Sequence, residues 1–449
     1  MARENKVTDV LSKAKFIGGA ALLFLVAYAL QINLTIPLLL LILFFFLKFV
    51  SKHAATNTNI LLELALLFVI IFATADFIIL KGWSSFFIPF ASISMLSVIL
   101  FENLTISLLL TLACALATAS LAPDRYEVLV IFLISGVASM LLVRYARKRT
   151  VIMRAGIVIG IIQALVYFFL THFSTTRTDG YLILFFNGVA SSFIVFPMLL
   201  IFEIMFQTVT NISLLELADF NHPLLRRMVQ EAPGTYHHSL VVGNLSDAAC
   251  TAVGAHALLA RIGAYYHDIG KLSKPEYFSE NQYFQTSKHE TLTPTMSKLV
   301  IMNHVKEGLE LAKKYKLCVS ITDFIAQHHG TSLVYYFYRR ALEDSQDIQE
   351  VKEEGFRYPG PKPRTKEAAI VLLADSVEAA ARSVKDFAPN KIEEIVHKII
   401  NNKFIDGQLD ECDLTLKDLE RIAGVFIHVL SGMYHSRVIY PESSTGEPR

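Results

Sequence analysis

Hydrophobic residues run almost without interruption through the first 207 positions, whereas beyond Asn211 they recur singly and in pairs among polar ones. A bilayer core about 30 Å thick takes roughly 20 apolar residues of helix, with about 17 as a lower limit. On that rule spans are expected near 16–30, 34–50, 59–80, 86–102, 104–122, 127–143, 151–173 and 181–207. Eight is the preferred count and seven the rival, because the first run is short and meets the second at Gln31-Ile32-Asn33. No small-residue cleavage site separates these two runs, so the N-terminus does not read as a signal peptide.

Past the last span the periodicity becomes helical. Segments near 213–230, 236–254, 257–269, 292–315, 319–329, 366–387, 391–402 and 415–434 all suit amphipathic helices, and strand-like alternation is nearly absent. Glu276–Lys288 is polar and reads as a loop. Arg339–Arg364 is charged and ends in the proline-punctuated Tyr358-Pro359-Gly360-Pro361-Lys362-Pro363. The expected fold class is therefore all-α, in two parts: a polytopic transmembrane helix bundle over 1–207 and a helical domain over 208–449, large enough for its own core.

Orientation follows from lysine and arginine in short loops. Arg144, Arg147, Lys148 and Arg149 make the strongest basic loop, which should be cytoplasmic, and two further spans return the chain to that side. The helical domain is then cytoplasmic. With eight spans so is the N-terminus, with Arg3, Lys6, Lys13 and Lys15, and the Lys48/Lys52 loop agrees. Charges within spans are few. Glu63, Arg154 and Glu203 read as interfacial, and Asp76 as a helix–helix hydrogen-bonding group.

Composition sharpens this picture. The chain is 53% hydrophobic and 18% charged, an average over two unlike halves that excludes a disordered chain, a small disulfide scaffold and a simple soluble enzyme. A net charge of +1 gives no expectation of a nucleic-acid polymer as partner. The four cysteines, Cys114, Cys250, Cys318 and Cys412, form no CxxC pair, which argues against a disulfide framework or a cysteine zinc site. The oligomeric state is not fixed, and a homodimer is compatible with the sequence.

Histidine and aspartate carry the chemistry. His237 and His238 lie in Gly234-Thr235-Tyr236-His237-His238-Ser239, and His267-Asp268 form a doublet in Tyr265-Tyr266-His267-Asp268-Ile269-Gly270-Lys271. His304 is next, then His328-His329 before Gly330-Thr331, and finally Asp375 within the apolar Val371-Leu372-Leu373-Ala374 stretch. In order this is H…HD…H…HH…D on successive helices. Neutral imidazole suits transition metals, and one carboxylate can bridge two ions through its two oxygens. Two ions roughly 3.5–4 Å apart would activate water and neutralise charge on a phosphoryl group. Adjacent helical residues point about 100° apart, so each doublet can serve two ions only near a helix end. Gly270 and Gly330 are the expected helix-ending residues. A buried carboxylate such as Asp375 would be costly without a cation.

This order resembles the HD-domain metal-dependent phosphohydrolases. The strings EAPGTYHHS, YYHDIGK, QHHGT and YPGPKPRTKEAAIVLLADSVEAAAR look like the membrane-anchored 7TM-HD branch, which includes PgpH-type phosphodiesterases hydrolysing cyclic di-AMP. The resemblance covers about 208–437, and the membrane half in architecture only. Members commonly carry a large external domain between the first span and the next seven, where this chain has only the residues around Gln31–Thr35.

The resemblance implies one metal set of His238, His267, Asp268 and Asp375, and a second of Asp268, His304, His328 and His329, with Asp268 as the bridge. It also implies iron or manganese, in keeping with mixed nitrogen and oxygen ligands. Lys271, beyond Asp268, is the first candidate for a catalytic and phosphate-binding cation. Thr331 and Arg382 are the further substrate-binding candidates, Arg382 through bidentate phosphate contact. Glu378 could orient a ligand histidine or form a helical salt bridge.

The activity so implied is hydrolysis of cyclic di-AMP to the linear dinucleotide. Hydrolysis of cyclic di-GMP is the rival, but the related subfamily carries Gly-Tyr-Pro after its histidine pair, where this chain has Gly330-Thr331-Ser332-Leu333-Val334-Tyr335-Tyr336. A membrane receptor that binds a nucleotide without cleaving it is the rival from another class, and a transporter would rest on Asp76 alone.

Overall fold

The computed structural model of the 449-residue chain describes residues 58–171, 178–282, 287–345, 351–383 and 389–434. It divides into two compact units, Met1–Ile212 and Ser213–Arg449.

In the first unit the described helices are α1 (Thr58–Leu80), α2 (Phe90–Phe101), α3 (Leu104–Leu121), α4 (Arg125–Val143), α5 (Arg149–Leu170) and α6 (Thr178–Phe206). All but α2 are long and apolar enough to cross a membrane. They correspond to the expected spans from 59–80 onward; those at 16–30 and 34–50, with the basic N-terminus, lie outside the described residues. The chain is thus a multi-pass membrane protein.

The expected span at 86–102 comes out differently. Ser85–Phe87 is a tight 3₁₀ turn, and α2 has only 12 residues, about 18 Å of helix. Pro89 lacks an amide proton and disfavours a helical Ile88, so the two pieces cannot fuse. The freed Ile88 carbonyl accepts from Asn187 Nδ2 of α6 at 2.9 Å. Non-helical backbone is tolerated at membrane depth where protein covers it. α2 is buried from Phe90 through Ile99, so its continuous apolarity reflects packing inside the bundle rather than contact with lipid. α5 and α6 approach most closely at glycine, where a Cβ on Gly160 would meet the Phe185 carbonyl oxygen at 2.3 Å. Glu63, expected at an interface, is instead 1% exposed, and its Oε1 has no hydrogen-bond partner among the described residues.

In the second unit the regular elements among the described residues are helices, with one isolated antiparallel bridge between Leu333 and Arg357. Its helices continue from α7 (Asn211–Leu217) through α8 (Pro223–Glu231), α9 (Pro233–Val253), α10 (Ala257–Tyr266), α11 (Pro294–Lys314), α12 (Val319–Gln327), α13 (Tyr335–Asp344), α14 (Lys366–Arg382), α15 (Pro389–Ile405) and α16 (Leu416–Tyr434). The helix expected over 213–230 is two, because Pro223 opens α8 and a turn precedes it, in which the Asp219 carboxylate accepts the Asn221 amide. α13 was hidden within a stretch that reads as charged connection; its single fully buried side chain, Phe337, leaves almost no apolar stripe.

The core is built around α14. Ala368 through Asp375 are all buried, because α9, α10, α12 and α15 pack around this helix. A helix covered on every side reads as apolar all round.

Candidate metal centre

Every residue of the expected H…HD…H…HH…D series lies on or at the end of a helix, Asp375 on α14 itself. His238 is one turn into α9 and 2% exposed, while its neighbour His237 faces out. His267 is the last helical position of α10. Asp268, at φ −108° and ψ 15°, has already left the helix and enters the 3₁₀ turn Ile269–Ser273. This break turns two adjacent side chains into one pocket. His328 ends α12 in the same way, and Gly330 follows at φ +54°, a left-handed conformation that glycine adopts without strain. Gly270 has a different role from the helix-ending one expected. A Cβ there would meet the His304 carbonyl oxygen at 1.8 Å, so glycine is what lets the Asp268 turn lie directly on α11.

The ligand atoms form two groups, His238, His267, Asp268 and Asp375, and Asp268, His304, His328 and His329, each within 4.8 Å. Asp268 belongs to both. Its Oδ2 lies 3.5 Å from His238 Nε2 and 3.2 Å from His267 Nε2. Its Oδ1 lies 3.4 Å from His304 Nε2 and 3.6 Å from His328 Nε2. Asp375 reaches His238 Nε2 at 3.0 Å through one oxygen and His329 Nδ1 at 3.5 Å through the other.

The far nitrogens of four of these rings are engaged. His238 Nδ1 donates to Glu378 Oε2 at 2.5 Å, His267 Nδ1 to the Ala264 carbonyl at 2.6 Å, and His304 Nδ1 to the Ile301 carbonyl at 2.5 Å. His328 Nδ1 lies 3.0 Å from the Ile325 carbonyl. In the neutral ring such bonds place the proton on Nδ1 and leave the Nε2 lone pair aimed inward.

Do these residues fit metal ions? Buried polar atoms are nearly always partnered, yet His238 Nε2, His267 Nε2 and Asp268 Oδ1 are buried without a hydrogen bond. His304 Nε2 and His328 Nε2 face one another at 3.1 Å, two lone pairs that a cation would reconcile. The donor set fits two divalent ions of the transition series, and the residues would hold them as the two groups above.

Electrostatics agree with a site built for cations. Burial opposes the charge on Asp268, but His267 and Lys271 hold its carboxyl well below the ordinary range. Asp375 is likewise held low, against burial, by His238 and His329. Burial pushes His304 down to about 4, and burial, with His328 alongside, holds His329 well below its ordinary value, so both are neutral. His238 goes the other way. Against burial, the Asp375 and Glu378 carboxylates raise it to about 10, so a cation must displace a proton from this ring.

Of the substrate-contact candidates, Lys271 lies closest. Its Nζ is 2.7 Å from Asp268 Oδ2 and 2.7 Å from Glu280 Oε1, and 5.0 Å above the Phe278 ring. Arg382 ends α14 at 3.8 Å from Glu378 and is 38% exposed in its side chain. Glu378 combines both roles considered for it, orienting His238 and pairing with Arg382. Thr331 is already engaged: its amide donates to Gln408 Oε1 at 2.8 Å, and its hydroxyl accepts from Gln408 Nε2 at 2.9 Å. It braces the turn after His329 against the chain beyond α15.

Several neighbours carried no local signal. Glu280 sits in the polar loop and also takes the Thr235 hydroxyl at 3.3 Å. Lys403 of α15 donates to Ser332 Oγ at 2.7 Å; burial lowers its ammonium, opposed by Asp375 and Asp406. The Tyr358 ring lies 4.3 Å from that of His329.

The fold and this centre define a polytopic membrane protein with a helical, histidine- and aspartate-lined metal-binding domain. Residues 26–210 match the family described as "7TM receptor with intracellular HD hydrolase" and residues 235–380 the "HD domain", and the chain belongs to this membrane-anchored HD family. It is 44% identical over 326 residues to "Cyclic-di-AMP phosphodiesterase PgpH" of Bacillus subtilis (strain 168), covering 71% of this chain and 45% of that protein. Its identity to the protein of the same name from Listeria monocytogenes is 40% over 321 residues, 70% of this chain and 44% of the relative. The chain thus spans less than half the length of these curated relatives. The crystal structure titled L. monocytogenes phosphodiesterase PgpH HD domain in complex with Cyclic-di-AMP is 47% identical, with a TM-score of 0.47 over 48% of this chain and 100% of that one.

Proposed function

We propose that the chain is a metal-dependent phosphodiesterase that opens cyclic di-AMP to linear pApA, with its HD domain on the cytoplasmic side. The reading rests above all on Asp268, whose two oxygens each face a separate pair of inward-pointing imidazole nitrogens. Its substrate rests on the relatives named as cyclic di-AMP phosphodiesterases, and its orientation on the basic loop of Arg144, Arg147, Lys148 and Arg149. When bound, two iron or manganese ions would supply Lewis acidity and a lowered water pKa next to the phosphorus.

The chain's own groups do the rest. His238, His267 and Asp375 would fix one ion and His304, His328 and His329 the other, with Asp268 between them. The helix-end breaks at His267-Asp268 and His328-His329 preset these directions, so little reorganisation accompanies reaction. Lys271, gripped by Glu280, keeps a positive charge against Asp268 at the edge of the cluster, where a phosphoryl oxygen would gain from it. Arg382 would receive a second phosphate at the rim. Water attacks one phosphorus in line with the 3′ oxygen, the P–O3′ bond breaks, and the 3′ oxygen takes up a proton.

The test uses the detergent-purified full chain with manganese or iron, offered cyclic di-AMP and cyclic di-GMP. Cyclic di-AMP should be opened by the wild type and not by Asp268→Ala. If neither dinucleotide is opened and Asp268→Ala behaves as wild type, the reading fails. Affinity without turnover would favour a receptor.

A further inference from the structure

Tyr358 lies in the proline-punctuated stretch that the metal set does not use, yet it closes over that set. Its amide donates to the Ser332 carbonyl at 3.0 Å, the Val334 amide donates to the Phe356 carbonyl at 2.9 Å, and Arg357 donates to the Thr331 carbonyl at 2.9 Å. These bonds tie Phe356–Tyr358 to the segment that leaves His328-His329. The phenol ring therefore packs on His329 at 4.3 Å between centroids, tilted by 31°, and meets His304 edge-on at 6.2 Å. Tyr358 is only 8% exposed, and its hydroxyl makes no hydrogen bond to any described residue. His329 and His304 both belong to the ligand set, so the phenol borders the cluster directly.

We propose that Tyr358 is a catalytic residue whose hydroxyl donates a hydrogen bond to a non-bridging oxygen of the phosphodiester. The inference rests on the phosphodiesterase reading above. A phenol with an ordinary pKa of about 10 keeps its proton at neutral pH, so it offers a donor and no competing charge. Charge on the non-bridging oxygens increases as water adds, and the bond therefore strengthens on the way to the transition state. No proton leaves Tyr358.

The test is Tyr358→Phe in the detergent-purified full chain loaded with manganese. Phenylalanine keeps the ring on His329, so manganese content and unfolding temperature should match the wild type. Expected are a fall in kcat of about 100-fold with KM changed less than about threefold, and a roughly tenfold loss of affinity for inorganic phosphate, which carries the extra charge. Wild-type kcat and phosphate affinity in the variant would overturn the proposal, as would loss of manganese, which would make Tyr358 a support for His329. A wild type that binds no phosphate would also overturn it. If the wild type opens no dinucleotide but Tyr358→Phe still weakens phosphate binding, the contact stands and the phosphodiesterase reading falls.

Discussion

Glu378 offers the sharpest handle on one ion without the replacement of any ligand. Its carboxylate is 4% exposed and accepts from His238 Nδ1 at 2.5 Å, a short, charge-assisted bond that orients the ring and raises the basicity of Nε2. Removing a partner of this kind typically lowers metal affinity 10–100-fold, about 1.4–2.7 kcal/mol. Glu378→Gln can still present a carbonyl oxygen to Nδ1, so it should lie at the mild end of that range. Glu378→Ala, which loses both charge and bond, should lie at the severe end. The other ion, held by Asp268, His304, His328 and His329, should be bound normally, because none of those side chains touches Glu378. Competitive titration of manganese against a chelator on the full chain resolves two affinities, of which one should weaken and one should not. Equal weakening of both, or wild-type affinity in Glu378→Ala, would refute the assignment of His238 to a separate ion.

Metal affinity should also depend on pH. Without metal the His238 ring titrates near 10, raised from 6.5, and the proton must leave before Nε2 can bind a cation. Asp268 and Asp375 are depressed, so they take up no proton in this window. Manganese affinity should therefore rise about tenfold per unit between pH 7 and 9, measured by the same titration. Gly270→Ala would drive a methyl group into the His304 carbonyl, and thermal unfolding should register a loss of more than about 2 kcal/mol. Glu280→Ala removes one of the two carboxylates on the largely buried Lys271, which keeps Asp268, and should cost about 1.5–3 kcal/mol by denaturant titration.

Much of this molecule was legible in its sequence, for identifiable reasons. Histidine and aspartate announce themselves by type, and apolar flanks place Asp375 in a buried helix without reference to the rest of the chain. Spans are set by length and composition, both local quantities, so α1 and α3 to α6 could be read directly. The break at Ile88-Pro89 was not, because a run packed inside protein is as apolar as one facing lipid; Pro89 was its only mark. Glu280, Tyr358 and Gln408 were invisible for another reason. Each acts from a loop, and its meaning depends on which distant turn it touches: Glu280 on Lys271, Tyr358 on His329, Gln408 on Thr331. The same long-range packing ties Thr331 to Gln408 and buries Glu63, whose place near a span end had put it at an interface.

The central claim is that the chain opens a cyclic dinucleotide when the two ligand groups that share Asp268 would each hold a metal ion. It is tested most directly by product analysis of cyclic di-AMP incubated with full-length chain carrying none, one or two manganese ions, counted by elemental analysis. The account predicts linear pApA in proportion to the doubly loaded fraction, and none from the metal-free chain. Full loading at two ions per chain with the cyclic dinucleotide left intact would contradict it.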